Sequence, residues 1–151
     1  MSSELNIVNT IKINTPAATI WDALTNPEIT PAYMFGCETV SDWEIGSELL
    51  WKGQYQGMDM IFVKGKIIEL IPNQVLVYTV FDPNSTIPDI PENYLTVTYQ
   101  LDQKDGFTQF TVTQGDYHKV AEGEKRYQES WNDGKGWNPI LEEIKRICEA
   151  D

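Results

Sequence analysis

The chain closes on "GKGWNPILEEIKRICEAD", in which Trp137, Ile140, Leu141, Ile144, Ile147 and Cys148 recur at spacings of three and four and so share one face of a helix. Upstream, residues 37 to 117 read almost entirely as strands. A single amphipathic helix that follows a run of strands can bury its stripe only against the sheet those strands form. The expected architecture is α+β, with the last helix laid on one sheet face. The open question is whether that helix covers a solid core or a space kept for something else.

The first strand is read from Leu5, Ile7, Ile11 and Ile13 on alternate positions. "NTPAATIWDALTNPE" then predicts a helix with Thr15 as N-cap, Pro16 at its first position, Ile20, Trp21 and Leu24 on one side, and Asn26-Pro27 as its stop. Between Pro27 and Gly36 a turn or two of helix is expected to carry Tyr33, Met34 and Phe35 inward. "SELLWKGQY" alternates Leu49, Trp51, Gly53 and Tyr55 against Leu50, Lys52, Gln54 and Gln56, and the odd positions are the buried face. "QGMDMIFVKGKIIELIPN" predicts one long strand with Met58, Met60 and Phe62 in phase, and a bulge or bend at Gly65 that shifts the phase. "QVLVYTVF" and "YLTVTYQL" follow, and Asp105-Gly106 marks a hairpin into a strand that turns Phe110, Val112 and Gln114 inward. Residues 82 to 93 carry Pro83, Pro88 and Pro91, which forbid a regular strand and predict a mobile loop at the rim of any pocket. A short helix with Tyr127 and Trp131 four apart runs or kinks into the last one near Pro139.

The 151 residues form one domain of ordinary size, able to bury a core without metal or disulfide support. A formal charge of −12 repels phosphate backbones and anionic lipid, so neither nucleic acid nor membrane insertion is expected. "MSSELNIVNTIKIN" lacks the basic and long apolar segments of a secretion signal, and the protein is expected to be cytoplasmic. Cys37 and Cys148 have no metal spacing and read as buried apolar residues.

Chemistry-bearing motifs are sparse. The lone histidine, His118, stands beside Lys119 after a strand end and reads as an exposed turn residue rather than a base. Adjacent acids such as Glu142 and Glu143 do not face each other on a helix, and "GKGW" lacks the strand context of a phosphate loop. No catalytic residue, metal or cofactor is assigned. Pattern instead turns Trp51, Tyr55, Phe62, Tyr78, Tyr99 and Trp137 inward, together with Met34, Met60, Leu141 and the amide of Gln114. Any one of these could simply fill a core, but methionines that adapt and polar groups that need partners together suit the lining of a small-molecule site.

The blocks "INTPAATIWDALTNPE", "WEIGSELLW", "GKIIELIPNQVLVYTV", "DGFTQFTVTQGDY" and "GWNPILEEIKR", in this order, resemble the START-like, birch-pollen-allergen-like superfamily and, within it, the family named for activators of a heat-shock chaperone ATPase. That resemblance covers nearly the whole chain. It implies a helix-grip fold, in which a curved antiparallel sheet of about seven strands, with two short helices after the first strand, wraps the C-terminal helix. It also implies a cavity between sheet and helix that holds a lipid, steroid, polyketide or other apolar molecule. Binding of such a molecule is the favoured function. The alternatives are a chaperone-associated interaction module, and a cyclase- or hydrolase-like enzyme that uses cavity tyrosines, with Asp116 as the further titratable candidate. In the eukaryotic activator a second, N-terminal domain carries much of the chaperone contact, and 151 residues leave no room for one, so chaperone contact is not favoured. A homodimer is left open.

Overall fold

The computed structural model describes residues 5–131 and 135–150. Strand β1 (Ile7–Ile13) leads into helix α1 (Ala17–Thr25), a 3-10 turn over Thr30–Ala32, and strands β2 (Glu38–Ser41), β3 (Glu48–Tyr55), β4 (Met58–Ile71), β5 (Val75–Val80), β6 (Leu95–Gln103) and β7 (Thr108–Gly115). Helices α2 (Gly123–Trp131) and α3 (Asn138–Glu149) close the chain. All seven strands join one antiparallel sheet in the order β1-β7-β6-β5-β4-β3-β2, so the first strand pairs with the last, from Ile7 opposite Gln114 to Ile13 opposite Thr108. This is the expected α+β helix-grip arrangement.

Alternation builds the inner face as the sequence implies. Ile7 and Ile13 of β1, Leu95, Val97, Tyr99 and Leu101 of β6, and Phe110 and Val112 of β7 are buried, while Val8, Thr10 and Lys12 are exposed. Helix α3 lays Leu141, Ile144 and Cys148 on that face, and α1 packs beside it with Ile20 and Leu24. Full burial of a side chain such as Leu141 or Ile144 is worth about 1.5–3 kcal/mol, so α3 is held by its stripe rather than by helix propensity. Burial also pushes the Cys148 thiol up to about 11, and Cys37 is raised by the same cause, so both behave as apolar residues.

Several expectations are corrected by the structure. Helix α1 begins one residue later than read, with Pro16 rather than Thr15 at the N-cap position. Proline offers no side-chain acceptor there. The Ala17 N–H donates instead to Gln103 Oε1 at 2.8 Å, a cap supplied from the end of β6. Phe35 does not turn inward; it is 87% exposed, at a φ of 53°, because Tyr33 already fills the space beneath and donates its hydroxyl to the Ala23 carbonyl at 2.7 Å. In β4 the phase shifts at Phe62, not at Gly65, since Trp51 pairs with Val63 but Lys52 pairs with Ile61. Gly65 is required for a different reason, because a Cβ there would lie 1.6 Å from the Thr79 carbonyl oxygen. Helices α2 and α3 are not continuous: Lys135 to Trp137 form a turn with Gly136 at a φ of 49°, and Pro139 sits in the first turn of α3 where its missing N–H costs nothing.

The tertiary cap gives a differential test. Thr15→Ala should leave thermal unfolding within about 0.5 kcal/mol of native, whereas Gln103→Ala should cost about 1 kcal/mol. Equal effects would restore Thr15 as the cap.

Candidate functional site

The inner face is not filled to its end. Past the buried part of α3, the curved sheet and the first turn of that helix border a cavity of about 480 Å3 that is partly open to solvent. Trp51 of β3, Phe62 and Val63 of β4, Tyr78 and Val80 of β5, Val97 of β6 and Gln114 of β7 line its sheet side. Trp137 and Ile140 form its roof, Met34, Phe35 and Cys37 stand at one wall, and Glu129, Ser130 and Gly136 complete the other.

Three hydrogen bonds and one ring contact fix the roof. The backbone N–H of Trp137 donates to Asn9 Oδ1 at 2.9 Å, and Asn9 Nδ2 donates to Asn138 Oδ1 at 3.2 Å. The Trp137 indole N–H donates to Gln114 Oε1 at 2.7 Å. Its ring meets Tyr99 edge-on at 6.0 Å between centroids. Beneath it the hydroxyls of Tyr78 and Tyr99 lie 2.7 Å apart, with the two rings T-shaped at 5.4 Å. Burial drives both phenols well above their ordinary range, and Tyr33 likewise, so all three stay neutral wherever the protein is folded.

The structure brings Met34, Trp51, Phe62, Tyr78, Gln114 and Trp137 together around the cavity. Tyr99 stands behind Tyr78, buried, and meets the lining through the shared hydroxyl contact and through its ring contact with Trp137. Leu141 is buried in the solid core under the middle of α3. Tyr55 and Met60 lie elsewhere. Tyr55 is 57% exposed near the tip of the β3–β4 hairpin, and Met60 lines an outer cleft with Lys52 and Asp59. Alternation assigns a face to each strand residue but does not mark where the helix stops covering that face, and the hairpin extends beyond it. Sequence reasoning did not place Cys37, Val63, Val80, Val97 and Ile140 in the lining. Ile140 belongs to the apolar stripe of the last helix, whereas nothing in the polar run of α2 singles out Glu129 and Ser130.

Two further candidates fall away. Asp116 is no interior acid: its carboxylate accepts the N–H groups of Leu5 at 2.9 Å and His118 at 3.0 Å, and those bonds hold it below the usual carboxylate range. Residues 82 to 93 line no part of the inner cavity. The loop is tied down across the other face, with Asp89 paired to Lys64 and accepting the Tyr94 hydroxyl at 2.6 Å, and with buried Asn93 bonded to Pro88 and Ala121. It is therefore not a lid. Among the described residues no cluster of His, Cys, Asp or Glu could hold a metal ion, and no helix is long and apolar enough to cross a membrane.

The raised phenols set a pH response. A group whose pKa is higher in the folded than in the unfolded chain stabilises the fold below the unfolded value, about 10, and loses that contribution as pH rises beyond it. Absorbance titration should show Tyr33, Tyr78 and Tyr99 ionising only together with alkaline unfolding above pH 10, seen as loss of near-UV dichroism. Free titration of all tyrosines near pH 10 in the folded protein would contradict the buried cluster.

Comparison with known proteins agrees with the fold. Among proteins of curated function no significant match is found. A Cytophaga hutchinsonii protein solved in solution is 35% identical, with 99% of this chain and 97% of that one covered at a TM-score of 0.73. The Aha1 dimer from Colwellia psychrerythraea is 19% identical over 96% of both chains, with a TM-score of 0.69. An Hsp90 activator from Plasmodium falciparum is 15% identical over 95% of both, with a TM-score of 0.65. At those two identities the likeness is one of fold. The sequence profile described as activator of Hsp90 ATPase homolog 1-like protein matches residues 14–149, which spans everything from the end of β1 to the end of α3, and the chain belongs to that family.

Proposed function

We propose that the protein binds a small, largely apolar molecule in the inner cavity. The observation that carries this reading is the way α3 divides its work. Leu141, Ile144 and Cys148 are buried against the sheet, but Trp137 and Ile140, on the same stripe, cover about 480 Å3 of space that no side chain fills. A void of this size lined by Trp51, Phe62, Tyr78, Val97 and Trp137 falls within the range of small-molecule sites, and its apolar walls with few polar groups have the expected composition. Open space against Trp137 and Ile140 forgoes packing contacts that a ligand would supply.

The family name supports a second reading, contact with a chaperone, and the solvent-facing Phe35, Tyr55 and Met58 are the apolar side chains that could serve it. The two readings separate on whether a small molecule or a purified Hsp90-type chaperone changes the unfolding of the native protein.

A panel of neutral apolar molecules such as flavonoids, steroids and fatty alcohols should raise the unfolding midpoint, because a ligand of the folded state alone stabilises it by about 2.7 kcal/mol at a hundredfold excess over its Kd. Leu141→Ala is expected to cost about 2–5 kcal/mol while leaving probe affinity unchanged, as a core truncation should. Trp137→Ala should cost less than the ~3–5 kcal/mol of a fully buried tryptophan and should change which probes bind. No midpoint shift with any probe would remove the cavity from the function.

A further inference from the structure

The polar groups that reach the cavity are arranged with one polarity. An indole N–H can only donate, so the Trp137 contact at 2.7 Å fixes the Gln114 amide with its oxygen toward Trp137 and leaves its NH2 as the free end. That NH2 has no protein partner among the described residues, and Gln114 lines the cavity. The Tyr78 and Tyr99 hydroxyls share a single hydrogen bond, which leaves one proton over. Both side chains are almost wholly buried, and either hydroxyl can donate in that bond, so the spare proton belongs to the pair. The indole N–H of Trp51, also in the lining, has no protein acceptor among the described residues. Beside the Gln114 and Tyr78 oxygens, which already share hydrogen bonds, the side-chain acceptors of the lining among the described residues are Glu129 and Ser130 of α2, and Glu129 is exposed. No cationic side chain of the described residues lines the space.

From this we infer that the occupant is an uncharged, mostly apolar ring compound that carries carbonyl acceptors. The inference rests on the reading that the cavity holds a ligand, and adds which chemistry it selects. A carbonyl oxygen satisfies the Gln114 donor, while a plain hydrocarbon displaces water from it and returns nothing. A carboxylate would be taken out of water without a counter-charge, inside a protein of net charge −12 and past Glu129.

The test uses three probes of one frame, tetralin, α-tetralone and tetralin carboxylate, titrated calorimetrically into the full chain. α-Tetralone should bind roughly tenfold more tightly than tetralin, as one or two net hydrogen bonds imply, and the carboxylate should bind least. Gln114→Glu should cut the ketone preference, the ratio of α-tetralone to tetralin affinity, several-fold, and it keeps an acceptor for the Trp137 indole. A native near-UV dichroism spectrum certifies that the variant folds. Equal binding of tetralin and α-tetralone to the native protein, or a preference that survives the substitution, overturns the donor assignment while the cavity stands as a binding site. If neither neutral probe binds, the cavity reading itself fails and takes this inference with it.

Discussion

Trp137 is the residue through which sheet, helix and cavity depend on one another. Its backbone N–H ends on Asn9 of the first strand, its indole N–H ends on Gln114 of the last, and its ring rests against Tyr99 between them. Those partners come together because β1 pairs with β7, placing Ile7 opposite Gln114 and Asn9 opposite Val112. The start of α3 is thereby fixed at the sheet edge before its apolar stripe is counted. Gly136 makes the approach possible, since a Cβ there would stand 2.5 Å from Asn9 Oδ1 and its φ of 49° is one that other residues adopt reluctantly.

Core and cavity follow from that anchorage. With its first residue held at the edge, α3 runs so that Leu141, Ile144 and Cys148 meet Leu101, Phe110 and the α1 side chains in one apolar cluster. At its other end the sheet continues through β3 and β4 beyond the helix, and the bulge at Phe62 turns both Phe62 and Val63 toward the space left over. The same helix therefore seals a core at one end and roofs a cavity at the other. Tyr78 and Tyr99 mark the boundary: one faces the open space, the other is packed behind it, and their hydroxyls join the two regions.

Much of this was legible in the sequence, and the failures have physical causes. The period of three and four in the last helix, the alternation in β6 and β7 and the Asp105-Gly106 turn are local signals that long-range packing did not override. Gln114 stood out because an amide on an apolar face must find a partner, and it finds the Trp137 indole. Tyr55 and Met60 failed because a strand's alternation carries no information about how far its partner helix extends. Thr15 failed as a cap because the acceptor for Ala17 comes from Gln103, 86 positions away along the chain. Glu129 and Ser130 had no signal at all; a polar helix reads the same whether or not one end of it borders a cavity.

The account stands on the space under Trp137 being a binding site, and methionine methyl groups report on it directly. Met34 lines the cavity, whereas Met58 and Met60 sit on the β3–β4 hairpin outside it. In protein labelled with 13C at the methionine methyls, a neutral apolar probe should give nuclear Overhauser contacts to Met34 and to the Trp51 and Trp137 rings, with the Met58 and Met60 signals unmoved. Contacts confined to Met58 and Met60 would place the probe on the outer cleft and contradict the account.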